Sequence, residues 1–203
     1  MNDKKIPSTD EELALEAQSG SRRCFEELTS RYSSKLFNFL RPKISNVSDV
    51  EDIIQETFYK LYKNILRYDS RWKFSTWIYT VVNRQAISHY RSRKNKYIHR
   101  MPVQIETNPE DTLIQETQSQ NLWQIARSLK ANQYEALWLR YVEDLPLKEI
   151  GRIMQKSHTA ARLLLHRARL NLGKQLQKDP EFRQDSVQSS PEGQNILYRE
   201  NRG

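Results

Sequence analysis

The chain has 203 residues, with 33 Lys and Arg against 25 Asp and Glu, a formal net charge of +8, 37% hydrophobic and 29% charged residues. That length accommodates one large domain or two small ones, and a single shared apolar core is not required; apolar runs of only a few residues fall short of the roughly 20 that cross a bilayer, so direct membrane insertion is not expected. Cys24 is the only cysteine, which excludes an internal disulfide, a CxxC centre and a cysteine-built zinc site, and five glycines with neither GxGxxG nor GxxxxGK[ST] speak against a nucleotide-binding enzyme.

Residues 1–10 read as a disordered N-terminus. The first twenty residues carry Asp3, Asp10, Glu11, Glu12 and Glu16 and lack the basic start and apolar stretch of a secretory signal, so a cytoplasmic location is expected. Phe25, Leu28, Tyr32, Leu36 and Phe39 recur at spacings of three and four, the period of one helix face, and Pro42 ends that helix. Ile54, Phe58, Leu61 and Ile65 repeat the pattern behind Ser48 and Asp49, which are suitable caps, with Glu51 and Asp52 in the favourable first turn. A further helix starts near Ser75 or Thr76 and carries Trp77, Val81 and Tyr90. Leu122, Ile125, Ala126 and Leu129 form the next, and Tyr134, Leu137, Trp138 and Tyr141 another. Two closing helices, Leu147 to Met154 and Thr159 to Leu176, flank Gln155, Lys156 and Ser157, the last a plausible cap. No stretch alternates with period two, so the fold class is all-α.

Charge divides the chain. Between residues 71 and 100 there are eight Lys or Arg and no acid, and between 152 and 178 seven and no acid. The stretch between the blocks holds Glu106, Glu110, Asp111 and Glu116 without one Lys or Arg from 101 to 120, and its apolar content is too low to offset the entropy of ordering. It reads as an acidic flexible linker over 99–120, joining helical domains at 11–98 and 121–178, with a disordered polar tail at 179–203.

In the second domain the short helix pair suits a helix-turn-helix, with Gly151 where the axes cross closely. Arg162, His166 and Arg169 form a basic stripe opposite Ala161, Leu165, Ala168 and Leu172. A solvated amphipathic helix is the alternative, and the absence of acid favours a polyanion-binding face over it. In the first domain, Trp72, Phe74, Trp77, Tyr79, Tyr90 and Tyr97 interleave with basic residues, a combination that suits unpaired bases because aromatic faces stack on them for roughly 1 to 3 kcal/mol each. Trp77 and Val81 at helical spacing read as core, whereas Trp72 in a polar stretch reads as exposed. The acidic run Asp49, Glu51, Asp52 and Glu56 is either a capped helix start or a face for a basic protein partner, and spacing does not choose between them.

The run DVEDIIQETF at 49–58, followed by KFSTWIY at 73–79 and HYRSRK at 89–94, resembles region 2 of bacterial extracytoplasmic-function RNA polymerase sigma factors. In the second half, KEI at 148–150, Ser157 and LHRAR at 165–169 resemble their region 4 and its helix-turn-helix. The likeness covers roughly residues 11–176 in the family's order. It implies an alternative sigma factor that binds core RNA polymerase, directs it to promoters and promotes melting, with no catalytic residue, metal, cofactor or small-molecule substrate. By resemblance, Asp49, Glu51, Asp52, Ile53, Gln55, Glu56 and Phe58 would dock on the beta-prime clamp helices, with the beta subunit a further contact. Tyr68, Trp72, Lys73, Ser75, Thr76, Asn83, Arg84, Ser88, Arg91, Arg93 and Lys94 would capture the melted minus-10 element. Lys156, Ser157, His158, Thr159, Ala160, Arg162, Leu163, His166, Arg167 and Arg169 would read the minus-35 element as duplex. The linker would run through the polymerase interior, and an anti-sigma factor would be a partner.

The chain departs from the family at several of these places. Asn83-Arg84 stands for the usual Arg-Asn, Ser88 for Asp, Gln155 for the turn Gly, Ala160-Ala161 for Thr-Val, and Leu164 for a basic residue. These departures imply altered base preference and weaker minus-35 contacts, and a non-glycine at a left-handed turn costs roughly 1 kcal/mol. A helix-turn-helix regulator that binds duplex DNA without polymerase would account for the second domain but leave the first unexplained. An enzyme is the third class. His158 and His166 are eight apart, off one ligand face, and His89 and His99 lie in a basic block that repels a cation.

Overall fold

A computed structural model describes residues 9–96 and 117–178, with side chains over 9–91 and 122–178. The tail and most of the expected linker lie outside these residues. The described residues form helices without strands: α1 Asp10–Gln18, α2 Arg22–Leu40, α3 Val47–Lys63, a 3-10 turn Ile65–Arg67, α4 Phe74–Lys96, α5 Thr117–Ala126, α6 Ala131–Tyr141, α7 Leu147–Ile153 and α8 His158–Leu176.

Local chemistry sets the helix ends. Thr9 and Glu12 form a reciprocal capping box at the start of α1. Gly20, at φ +97°, takes the left-handed conformation that turns α1 into α2, whose first N–H groups Ser21 caps through Cys24 N. The α3 cap is Asn46, whose side chain accepts from Asp49 N, so Ser48 and Asp49 fall inside the first turn instead of capping it. The N-terminus of α4 takes its acceptor from another element: Phe74 N donates to Glu11 Oε1 at 2.9 Å. A carboxylate there also answers the positive end of the helix dipole. Ser157 caps α8 by accepting from Ala160 N, as expected.

The first bundle buries the predicted α2 face, Phe25, Leu28, Tyr32, Leu36 and Phe39, against Val50, Ile53, Ile54 and Leu61 of α3 and Phe74, Ile78, Tyr79 and Val82 of α4. Each such side chain contributes about 1.5–3 kcal/mol relative to exposure. The loop between the 3-10 turn and α4 is held from both sides. Gln18 Nε2 donates to the carbonyls of Ile65 at 2.9 Å and Tyr68 at 2.7 Å, and the Tyr68 hydroxyl donates to the Trp72 carbonyl at 2.8 Å.

The second bundle centres on Trp123, Tyr134 and Trp138, whose rings meet at 5.2 to 5.9 Å. Helices α7 and α8 form the helix-turn-helix, and Ala161, Leu165 and Ala168 are buried as the spacing predicts. The two bundles are not independent. Where composition leads one to expect two domains joined only by a linker, the apolar core runs through both, and α7 lies on α4. The facing side chains are largely Lys, Glu, Asn, Thr and Tyr, which a periodicity reading assigns to solvent.

Candidate nucleic-acid interface

On α3, Glu51, Asp52, Gln55 and Glu56 are exposed on one flank, and Glu56 pairs with Lys60 at 3.1 Å one turn on. Phe58 is half-buried. Ile53, also in the expected docking set, is 5% exposed, packs in the core and backs this face from inside. Asp49 also turns inward, with Oδ1 3.6 Å from His89 Nε2 of α4.

The expected minus-10 residues divide into three groups. Arg84, Ser88 and Arg91 project into solvent along α4, and Arg93 and Lys94 lie on the same helix with side chains outside the described residues. Tyr68 shapes the loop instead of lining its surface: it is buried, its ring stacks on Trp77 at 5.4 Å, and burial raises its hydroxyl pKa. Asp69 and Arg71 clamp the loop outside with a 2.6 Å ion pair that holds the Asp69 carboxyl below its ordinary range.

The third group faces the second bundle. Trp72, expected to be exposed, is half-buried beneath the guanidinium of Arg152, which lies 4.5 Å from its ring centroid. Lys73 Nζ donates to the Asp144 carbonyl at 3.1 Å, and Thr76 Oγ1 bonds the Glu149 carboxylate. Ser75 is buried beside it. Asn83, 5% exposed, donates through Nδ2 to the Ile153 carbonyl at 2.9 Å and accepts at Oδ1 from Lys43 Nζ at 3.1 Å. Lys43 is ion-paired with Glu135 of α6 and sits 4.2 Å from the Phe39 ring centroid. Burial draws the Lys43 ammonium down to about 7, and the touching carboxylate opposes that loss of charge.

A second polar knot lies beside the first. The Tyr79 hydroxyl donates to Glu143 Oε1 at 3.0 Å and accepts from Trp138 Nε1 at 3.0 Å, and Lys35 Nζ approaches the same carboxylate at 3.4 Å. Burial raises the Glu143 pKa, with Lys35 and Tyr79 only partly offsetting it. At the far end Asn38 accepts at its carbonyl from the Tyr134 hydroxyl and at Oδ1 from Arg127.

Lys156, Ser157, His158, Thr159, Ala160, Arg162, Leu163, His166 and Arg167 are all exposed on the turn and the outer face of α8, with Arg169 half-buried at its edge. These expected minus-35 residues form one accessible surface with positive charge and a helix N-terminus, features that attract phosphate.

Sequence pattern did not single out Lys35, Lys43, Glu135 or Glu143, and it marked Arg152 only as the first residue of the second basic block. Glu135 carried a signal: it lies inside Gln133–Leu139, a run buried all round, and a carboxylate in such a run needs a cation. Among the described residues no helix is long and apolar enough to cross a membrane.

The family model described as Sigma-70 region 2 matches residues 28–96, and the one described as Sigma-70, region 4 matches residues 119–172, together more than half of the chain and in that order. The ECF RNA polymerase sigma factor SigW of Bacillus subtilis is 28% identical over 174 residues, 79% of this chain and 93% of that protein. Among solved structures, CnrH in complex with the cytosolic domain of CnrY is 20% identical with a TM-score of 0.58, covering 85% of this chain and 99% of that one. The sigma factor RpoE in complex with the anti-sigma factor NepR from Bartonella quintana is 19% identical with the same TM-score, covering 76% and 98%. At that identity the two structures establish the shared fold. With both regions matched in order, and helices without strands among the described residues, this protein belongs to the extracytoplasmic-function sigma factors, the alternative sigma factors that direct RNA polymerase to promoters.

Proposed function

We propose that the chain divides its work as follows: residues 11–98 dock on core polymerase and capture the melted minus-10 strand, 99–120 connect the two parts, the last four of these residues already belonging to α5, and 121–178 read the minus-35 duplex. The observation that carries this reading is the coexistence, in one molecule, of an exposed acidic flank on α3 and an exposed basic face on α8. Glu51, Asp52, Gln55 and Glu56 supply negative charge for basic clamp helices, with Phe58 as an apolar edge. Lys156, Arg162, His166 and Arg167 meet phosphates or base edges, and the N-terminus of α8 points its free N–H groups at the backbone. On α4, Arg84, Ser88 and Arg91 track the strand while Trp72 offers a stacking face, and melting is driven by capture of unpaired bases, each costing a few kcal/mol to flip.

On this reading the chain is a specificity subunit without catalytic chemistry of its own and works in the cytoplasm. An anti-sigma factor is a fitting partner, since two solved proteins of the same fold, RpoE and CnrH, are complexed with NepR and CnrY. The test pairs run-off transcription with a core-polymerase pull-down. Wild type is expected to give discrete new starts with core enzyme, and Asp52→Lys is expected to lose polymerase capture with an unchanged circular-dichroism spectrum. Full capture by Asp52→Lys would remove α3 from the docking site, and tight promoter binding without polymerase would favour a free-standing regulator.

A further inference from the structure

The seam between the bundles has a consistent polarity over the strand-reading part of α4. From the first bundle come donors: Lys43 Nζ, Lys73 Nζ, Thr76 Oγ1 and Asn83 Nδ2. From α6, α7 and the segment between them come oxygens: the carboxylates of Glu135 and Glu149 and the carbonyls of Asp144 and Ile153. Tyr79, between Thr76 and Asn83, is the mixed case, its hydroxyl donating to Glu143 and accepting from Trp138, and the polarity reverses at the far end, at Asn38. An array of anionic and carbonyl oxygens facing lysines and an amide donor is what a phosphodiester strand and its base edges present. The Trp72 ring, which would stack on a base, carries a flat cation instead, as the Arg152 guanidinium lies over it at 4.5 Å. Lys43 has no use as a surface charge here, because Glu135 and Asn83 enclose it.

We propose that the α6–α7 portion of the second bundle acts as an intramolecular nucleic-acid mimic seated on the strand-reading face of the first, and that Lys43 is a DNA-contacting residue uncovered only when the bundles part. This rests on the assignment of α4 to the minus-10 strand. In the free protein Glu135 and Glu149 hold the place of phosphates. On the promoter the real strand takes Lys43, Lys73 and Thr76, and Asn83 exchanges the Ile153 carbonyl for a base or backbone acceptor while Lys43 still fixes its Oδ1. The apparent affinity of the closed chain for single strands is lowered by the fraction that is open.

The test uses the full chain without polymerase, with small-angle scattering for separation of the bundles and fluorescence anisotropy of a labelled single-stranded oligonucleotide for binding. Glu135→Gln with Glu149→Gln is expected to enlarge the scattering radius and tighten oligonucleotide binding about tenfold, because it leaves the Lys43 charge uncompensated in a closed seam. Adding Lys43→Ala should return several-fold of that gain, and Glu16→Gln with Glu26→Gln, the same charge change away from the seam, should leave affinity at the wild-type level. A doubly substituted chain that stays compact, or opens without binding more tightly, overturns the proposal. Should that chain lose helix by circular dichroism, Arg152→Ala with Glu149→Ala, at side chains that support no core, is expected to tighten binding about threefold, and unchanged affinity there overturns it equally. Promoter-dependent transcription separates the two readings. Transcription that is normal alongside unimproved oligonucleotide binding defeats the mimic alone, while wild type that melts no promoter with core polymerase defeats the minus-10 assignment beneath it.

Discussion

Gln155 holds the turn between α7 and α8 at φ +54°, in the left-handed region where a side chain clashes with its own backbone. Gln155→Gly is expected to stabilise the fold by up to about 1 kcal/mol, the relief of strain being reduced by the entropy glycine loses, as read from urea midpoints. Gly151, four residues earlier, tolerates no such exchange. A Cβ there would lie 2.8 Å from the Lys156 carbonyl oxygen, a backbone atom fixed by the turn, so Gly151→Ala is expected to cost about 1–3 kcal/mol in the same assay. Gly151 was legible as a glycine where two helices cross, and Gln155 only through the resemblance, which places a glycine at that turn. Trp72 was not, since its exposure depends on Arg152, a residue eighty positions away that no local pattern connects to it.

Among the helices, α2 and α8 are the most legible in the sequence, since an apolar face at spacings of three and four survives whatever packs against it. The start of α3 is ambiguous in the sequence because Asn46, Ser48 and Asp49 are all competent caps, and the fold uses Asn46, whose side chain accepts from Asp49 N. On the proposed reading of the minus-35 element, the outer face of α8 is where charge decides function. Arg162→Ala is expected to weaken promoter binding roughly uniformly across sequences and to lower the slope of log affinity against log salt by about one, measured by anisotropy on duplex DNA. A larger loss confined to particular minus-35 sequences would instead identify Arg162 as a reader of base edges.

For the molecule as a whole, the joining of the bundles was the least legible feature. Its contacts are polar and far apart in sequence, so composition assigned them to water, and only Glu135 within an apolar run hinted at a buried cation. The seam also carries a pH signature through Glu143, which faces Tyr79 and Trp138, Lys35 of α2, and more distantly Asp10 of α1. Burial raises this carboxyl above its ordinary value of 4.5, so the folded state holds its proton longer than the unfolded chain. Its contribution to stability is therefore fully present below 4.5 and declines as pH rises through the elevated value. Glu143→Gln is expected to remove that decline, seen as urea midpoints of wild type falling relative to the variant as pH rises over this window.

Asn83 bonds the closed seam through the same amide that the proposed minus-10 reading offers to DNA. If both the minus-10 reading and the proposed masking hold, selection at this position is pleiotropic: a substitution that retunes promoter choice would also reset how much of the cell's pool of this factor lies idle, and a lineage acquiring new target genes through Asn83 would need compensating changes at Lys43 or in α7 to keep its basal transcription constant.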